Sequence, residues 1–292
     1  MPSASNSIDA AFRECGRIAR GHYENFPVGS PILPRDRRRY LHSIYAFARI
    51  SDDFADEAEH EGRRGRRIAE WRDRLRRCAE GDADHPVFIA LGETIRSCGV
   101  PPDLLDDLLK AFEQDTRVRR YRTFDDLLGY CRYSANPVGR LVLTVFGHRD
   151  EELFRLSDSI CTALQLANFW QDVRVDLEKD RIYLPQEDLE RFSCREEEIR
   201  RGAAAPAFRR LMEFQVARTE DWFRHGRDLP SRVRGRLGLE LRCVWTGGMR
   251  SLRRIRRAGY DVLRRRPRLS LADRAAVLAG GLLWRRGAAG PG

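Results

Sequence analysis

Almost every segment of this chain repeats its apolar residues every three to four positions, and no segment shows the alternation of a half-buried strand. This spacing predicts an all-α fold, a bundle of helices around a shared core. The expected helices cover residues 8–20, 35–59, 62–78, 86–98, 101–115, 124–133, 151–177, 205–225, 231–257 and 270–284. We expect a break near Asn136-Pro137, because proline removes a backbone donor and clashes with the preceding turn.

The length of 292 residues suits one sizeable helical core, so we expect a single domain over 1–292, with only the tail 287–292 disordered. No apolar run reaches the roughly 20 residues of a membrane span, and the N-terminus lacks the apolar stretch of a secretory signal. The seven cysteines are scattered without a C-x-x-C pair, which predicts reduced thiols and neither disulfides nor a zinc site. These features together favour a cytoplasmic protein.

The formal net charge of +10 comes almost entirely from arginine, because lysine occurs only at Lys110 and Lys179. Acidic residues are abundant throughout, so the arginine clusters are interpreted as solvated helix faces and no nucleic-acid partner is expected. Residues 264–286 combine arginines with leucines. That combination fits either peripheral contact with a membrane surface or ordinary packing against the bundle, and both interpretations stay open.

Two of the expected helices each carry a stripe of polar residues at spacings that share one helix face. The first stripe is Tyr45, Arg49, Asp52 and Asp56, and the second is Gln165, Asn168, Asp172 and Asp176. Carboxylates on an otherwise apolar helix are unfavourable unless a cation compensates their charge. Mg²⁺ prefers such oxygen ligands and completes its shell with waters and phosphate oxygens. An exposed acidic face would explain one stripe alone, but two stripes predict paired magnesium sites that bind a diphosphate.

The residues around these stripes resemble the squalene/phytoene synthase family. The resemblance is carried by 45–57 (YAFARISDDFADE) and 165–185 (QLANFWQDVRVDLEKDRIYLP). Shorter stretches at 111–115, 124–130, 135–139, 259–263 and 266–270 support it, so that it spans about residues 20–275. It implies the all-α isoprenoid synthase fold with a central cavity, a requirement for magnesium, and head-to-head chemistry on prenyl diphosphates.

Within that family, residues 22–28 (HYENFPV) resemble the hydroxysqualene synthase branch of hopanoid biosynthesis. That branch converts presqualene diphosphate and water to hydroxysqualene. Three positions depart from the usual family pattern: Asn25-Phe26 replaces a serine-rich motif, Gln171 an arginine, and Met249 a tyrosine. These departures fit an enzyme that takes a single diphosphate. For the hydroxysqualene synthase reaction, magnesium is expected and NADPH is not. Two alternatives remain, a squalene or phytoene synthase that condenses two prenyl diphosphates, and a non-catalytic lipid-binding or assembly factor.

The resemblance also implies roles for single residues. The expected magnesium ligands are Asp52, Asp56, Asn168, Asp172 and Asp176. Tyr45 is expected to be catalytic together with the four aspartates. The expected contacts of the diphosphate or its hydrocarbon chain are Phe26, Arg49, Asp53, Tyr130, Gln165, Asn168, Arg181, Tyr183 and Arg266. The arginines suit phosphate oxygens because a guanidinium donates two parallel hydrogen bonds, and the aromatic rings can stabilise a carbocation. Asp53 is offset by about 100° from Asp52, so we expect it to orient either a neighbouring residue or a basic residue. Other enzymes of the squalene and hopanoid pathway are possible partners.

Overall fold

A computed structural model of the chain describes residues 4–21 and 30–284, with side chains from residue 7 onward. Within these ranges the chain forms helices and no strand, apart from one isolated parallel bridge between Arg120 and Ile182. The expected all-α class is therefore confirmed. The expectations that concern Phe26, the 22–28 motif and the 287–292 tail lie outside the described residues.

The helices follow the chain in the order α1 (Ala4–Gly21), α2 (Arg35–Asp56), α3 (Arg64–Ala79), α4 (Pro86–Cys98), α5 (Pro102–Asp115), α6 (Phe124–Ser134), α7 (Asn136–Val145), α8 (Glu151–Glu178), α9 (Gln186–Arg191), α10 (Glu196–Arg200), α11 (Pro206–His225), α12 (Leu229–Arg232), α13 (Gly235–Arg257) and α14 (Leu271–Leu282). A short 3₁₀ turn, Ala58–His60, follows α2.

Several expected boundaries were wrong, including the start of α1, and the differences at α2 and α13 have a local reason. Helix α2 ends at Asp56 and not at residue 59, where further carboxylates would crowd the negative end of the helix dipole. The break near Asn136-Pro137 is confirmed, but a further helix, α7, begins there because proline is well tolerated in a first turn. Helix α13 begins at Gly235, whose φ of 69° interrupts a helix running from residue 231.

The chain divides into two compact units. The first comprises Met1–Arg117 and Tyr133–Phe154. Its centre is α2, which contacts α1, α3, α4, α5 and α7. The face of α2 turned toward these helices buries Leu41, Ile44, Phe47 and Phe54. The rings of Phe47, Phe54 and Phe88 pack around Trp71, so the acidic helix is held rigidly by an apolar cluster.

The second unit comprises Val118–Arg132 and Arg155–Gly292. Helix α8 is fixed to α11 by a buried hydrogen bond from Trp170 Nε1 to Thr219 Oγ1 at 2.8 Å. Helix α11 in turn packs on α13, and α13 on α14. All seven cysteines are free thiols, as expected. Among the helices of residues 4–21 and 30–284, none has the length and apolar character of a membrane span. That the two units form a single domain stays a prediction.

Candidate active site

The first polar stripe lies along one face of α2. Its members Tyr45, Arg49, Asp52 and Asp56 are all partly exposed. Of the other residues in this part of α2, Ala48, Ile50 and Asp53 are partly exposed, and the buried ones are Ile44, Ala46, Phe47, Ser51, Phe54 and Ala55. The helix therefore separates its polar and apolar residues as the spacing predicts, and the polar face stays accessible to a ligand.

Arg49 binds two of the carboxylates of this stripe at once. Its Nη1 lies 3.0 Å from Asp52 Oδ2, and its Nη2 lies 2.6 Å from Asp53 Oδ1. The pair with Asp53 is the kind of contact that the helical offset of this residue predicts. The contact of Arg49 with a diphosphate stays a prediction, and in the protein without ligand its guanidinium partly neutralises α2.

The environment of Asp52 nevertheless disfavours the charged form of its carboxylate, and Arg49 offsets this effect only in part. Burial of the carboxylate, followed by repulsion from Asp56, raises the pKa of Asp52 from its usual 3.8 to about 7, against the opposing effect of Arg49. Asp115, at the end of α5 and 7% exposed, and Asp53 add to this repulsion. Some 39% of the Asp52 side chain remains accessible, so an incoming cation can reach it.

The second stripe lies on α8 in the other unit. Gln165, Asn168, Asp172 and Asp176 are partly exposed, whereas the neighbouring residues are buried, and these are Leu166, Ala167, Phe169, Trp170, Gln171 and Val173. Asp176 lies in the last turn of the helix, where its backbone oxygen accepts a hydrogen bond from the Arg181 amide at 2.8 Å. This bond turns the chain directly after the stripe and sets the backbone position of Arg181, which is buried.

Asp172 is paired with Arg266, which arrives from the segment that joins α13 to α14. Arg266 Nη2 donates to Asp172 Oδ2 at 2.7 Å, and Nε forms a close ion pair with Oδ1. Burial nonetheless raises the pKa of Asp172, although Arg266 lowers it. Both carboxylate oxygens of Asp172 therefore face the Arg266 guanidinium, and a cation bound at this carboxylate would share them with Arg266 or displace it.

Gln171, one of the three departures from the family pattern, has a definite contact. It is 5% exposed, and its Nε2 donates to the backbone oxygen of Pro267 at 2.7 Å. A carbonyl oxygen can only accept, so the nitrogen end of the amide faces it. Gln171 thus fastens the residue that directly follows Arg266, and it secures the segment that supplies the partner of Asp172.

A cluster of four buried aromatic rings adjoins the second stripe. Phe169 and Tyr183 stack with ring centroids 3.8 Å apart and planes 9° apart. Tyr130 lies 6.0 Å from both rings, and Tyr121 lies 5.7 Å from Tyr130 and 5.8 Å from Tyr183. Tyr130 and Tyr183 were expected at the site, and Phe169 follows Asn168 on α8. Tyr121 was missed, because the bridge that brings it beside residues 182–186 has no local sequence signal.

Carboxylates that could hold magnesium are therefore present in each unit. Burial raises the pKa of both Asp52 and Asp172, so each carboxylate lies where its negative charge is poorly solvated. Across residues 4–21 and 30–284, no three carboxylate, imidazole or thiol groups converge closely enough to enclose an ion unaided. A magnesium ion commonly reaches a protein through only one or two carboxylates and completes its shell with other oxygens. The residues present fit such an ion.

Comparison with known proteins identifies the family of this chain. A "Hydroxysqualene synthase" of Rhodopseudomonas palustris is 34% identical over 76% of this chain and 75% of its own length. A "Phytoene synthase" of Mycobacterium tuberculosis is 33% identical over 75% and 73%. The crystal structure of squalene synthase HpnC from Alicyclobacillus acidocaldarius is 42% identical with a TM-score of 0.83, covering 89% of this chain and 99% of that one. The sequence profile of squalene/phytoene synthases matches residues 19–273, and the chain belongs to that family.

Proposed function

We propose that this chain is a hydroxysqualene synthase that converts presqualene diphosphate to hydroxysqualene. The carbon–oxygen bond to the diphosphate breaks, diphosphate leaves with the electron pair, and the cyclopropylcarbinyl cation rearranges. Water then forms the new carbon–oxygen bond and releases a proton. No electrons are exchanged, so the reaction needs no nicotinamide. The observation that carries the proposal is the relative of that name, which matches about three quarters of both chains.

Family membership supports the coarser part of this assignment, an enzyme that acts on prenyl diphosphates by head-to-head chemistry. In the proposal, Asp52 and Asp56 on α2 would hold magnesium, and so would Asn168, Asp172 and Asp176 on α8. Bound magnesium would supply positive charge to the departing diphosphate. The raised pKa values of Asp52 and Asp172 favour this role, because a bound cation would stabilise the charged form that burial disfavours at both carboxylates.

The arginines act on the diphosphate in the same proposal. Arg49 and Arg266 already lie against the carboxylates, where they neutralise Asp52, Asp53 and Asp172. If magnesium neutralised the carboxylates, each guanidinium group would become available to phosphate oxygens beside its own carboxylate partners. A guanidinium is well suited to this exchange, because its fork binds carboxylate and phosphate oxygens with the same geometry.

The rings of Tyr121, Tyr130, Phe169 and Tyr183 would stabilise the cation. An aromatic face within about 6 Å of a cation contributes roughly 0.5–2 kcal/mol. Three of the four rings also carry a hydroxyl group, so the cluster is not wholly apolar. That property matters for a reaction that must end by admitting water, whereas a hydrocarbon product requires water to be kept out.

The substrate assay separates the proposal from its closest alternatives. The chain is incubated with Mg²⁺ and presqualene diphosphate, farnesyl diphosphate or geranylgeranyl diphosphate, with and without NADPH, and products are identified by mass spectrometry. We expect hydroxysqualene from presqualene diphosphate without NADPH, with ¹⁸O incorporated from labelled water. Squalene from farnesyl diphosphate and NADPH, or phytoene from geranylgeranyl diphosphate, would contradict it. The phytoene outcome is a serious competitor, since the phytoene synthase relative is almost equally similar.

A second assay tests the alternative of a non-catalytic lipid-binding or assembly factor. Asp52→Asn and Asp172→Asn remove a carboxylate from each stripe at nearly constant size. We expect both to abolish diphosphate release, while Asp221→Asn, at a carboxylate with 59% of its side chain exposed on α11, leaves it unchanged. Unchanged release in the first two variants would refute the catalytic assignment of the stripes.

A further inference from the structure

Helix α14 presents its large apolar residues to solvent. Five large apolar side chains of the described part of the chain are exposed, and four of them belong to α14 or to the residue after it. These four are Leu271, Leu278, Leu282 and Leu283, exposed by 81%, 51%, 71% and 78%. A surface helix normally buries such residues, so this concentration needs an explanation other than folding.

The leucines form a stripe on the side of α14 that points away from the protein. At about 100° per residue, Leu271, Leu278 and Leu282 fall within an arc of about 40°. The opposite side packs on α13 through small residues. A side chain at Gly281 would collide with Cys243 Sγ, and one at Gly280 would come within 3.1 Å of Thr246. The large apolar residues of α14 therefore face solvent and its small residues face the protein, which is the opposite of an ordinary amphipathic surface helix.

The helix is firmly anchored, so the leucines are not exposed by fraying. Ser270 and Asp273 form a capping box at its start, and Arg254 of α13 also bonds Asp273. Burial opposes ionisation of Asp273, but the hydrogen bonds from Ser270 and Arg254 outweigh it and lower its pKa to about 2. At the other end, Trp284 Nε1 donates to Ser231 Oγ at 3.0 Å. The leucine stripe is therefore held rigidly on the surface.

The segment of chain that carries the stripe is strongly basic. From Arg264 to Leu283 the chain has five arginines and one acidic residue, Asp273, and that carboxylate is buried and already bonded to Arg254. Arg264, Arg265, Arg268 and Arg274 are all exposed. Two further arginines, Arg285 and Arg286, follow directly in the sequence. A leucine stripe among arginines complements the acyl-chain boundary and the phosphate groups of an anionic bilayer.

We propose that the exposed face of α14 docks the protein on an anionic membrane surface. The leucines enter the headgroup region and the arginines bind lipid phosphates, with the helix lying in the plane of the interface. With 12 residues, α14 is far shorter than the roughly 20 that a spanning helix requires. Four leucines are also few beside the 20–30 residues per side of a typical stable dimer interface. This proposal does not depend on which prenyl diphosphate the chain takes.

Vesicle sedimentation with the full chain tests the proposal without any substrate. We expect binding to mixed phosphatidylglycerol–phosphatidylcholine vesicles, weaker binding to phosphatidylcholine alone, and a loss of affinity at high salt. Leu278→Gln/Leu282→Gln should weaken the binding about tenfold or more, because two leucines no longer leave water. Glutamine keeps the helix propensity of leucine, and both positions are exposed, so the fold should be preserved.

The matched control is Val175→Gln, at the one other exposed large apolar residue of the described chain, on α8. It should bind vesicles like the unaltered protein. Equal binding by the double leucine variant and the unaltered protein would overturn the proposal. Failure of the unaltered protein to bind vesicles would also overturn it. Light scattering would then show whether the protein forms a dimer that is lost in the double leucine variant. In that case the face would be a contact between copies of the chain.

Discussion

Replacing Gln171 by leucine tests whether the hydrogen bond from Gln171 to Pro267 positions Arg266 beside Asp172. The amide of Gln171 spans 96 residues of sequence to reach the oxygen of Pro267. Pro267 is buried and lies between Arg266, which pairs with Asp172, and Arg268, whose charge also acts on Asp172. Leucine has nearly the same volume but no donor. The substitution therefore removes one hydrogen bond and little packing.

The cost to stability follows from the buried acceptor. A hydrogen bond lost with its partner left unsatisfied in the interior costs about 1–3 kcal/mol. For a chain of this length that corresponds to a fall in Tm of about 2–4 °C for each kcal/mol. Most domains are stable by about 5–15 kcal/mol, so the variant should remain folded at 25 °C. Calorimetry or circular dichroism measures the shift.

The loss of activity should exceed what this shift explains. A segment no longer fastened at Pro267 lets the Arg266 guanidinium leave Asp172, and a loss of about 1.4 kcal/mol in transition-state binding slows diphosphate release tenfold. We expect at least that reduction, measured as released phosphate after pyrophosphatase treatment. Gln186→Leu on α9 is the matched control, because Gln186 is exposed and should change Tm and rate very little.

A double-mutant cycle with Arg266→Gln decides whether Gln171 acts through Arg266. If it does, Gln171→Leu lowers activity in the unaltered background but not in the Arg266→Gln background, while its cost in Tm persists in both. Equal losses of activity in the two backgrounds would refute the positioning role. An unchanged Tm would refute the contribution of the hydrogen bond itself.

Three further predictions concern stability and metal affinity. Because the pKa of Asp273 is lowered to about 2, its ionised form stabilises the fold by about 2 kcal/mol above pH 4, and this stabilisation is lost as the pH falls from about 4 to 2. In urea unfolding at pH 7, Asp273→Asn should be less stable than the unaltered protein by about this amount. The difference between the two should shrink as the pH falls toward 2. With the pKa of Asp52 near 7, a proton competes with Mg²⁺, so calorimetric Mg²⁺ affinity should rise about tenfold from pH 6 to pH 8, and a flat profile would contradict this. A Cβ at Gly248 would collide with a phenyl ring of α11, so Gly248→Ala should cost roughly 1–3 kcal/mol in unfolding free energy; Gly129→Ala, where a Cβ meets nothing, should instead gain about 0.5–1 kcal/mol.

Most of the helices could be predicted because their signals are local. Helix α4 begins at Pro86 and ends at Cys98 as expected, since proline fits the first turn and Gly99 adopts the left-handed conformation that closes the last. Two short helices, α9 and α10, were not expected, because five or six residues are too few to show a helical period. The stripes on α2 and α8 were predictable because residues three or four positions apart share one face of a helix.

The partners of the stripes could be predicted only in part. Arg49 lies within one turn of Asp52 and Asp53 on the same helix, so its ion pairs follow from the helical repeat. Arg266 lies 94 residues from Asp172, and neither that pair nor the hydrogen bond from Gln171 to Pro267 follows from any local pattern. The same is true of Tyr121, which enters the aromatic cluster through a bridge between distant segments. Such contacts depend on how the chain is packed, which a single sequence does not encode at any fixed spacing.

This difference in partners has a consequence for how the second unit would respond to a diphosphate. Arg49 can exchange a carboxylate for a phosphate by rotating its own side chain on a rigid helix. Arg266 belongs to the connection between α13 and α14, and only Pro267, Arg268 and Leu269 separate it from the capping box that starts α14 at Ser270. A ligand that draws Arg266 away from Asp172 therefore acts on the segment that also positions the exposed leucines. In these two proposals, substrate binding and membrane docking share the short segment from Arg266 to Ser270, which Gln171 and the capping box hold in place.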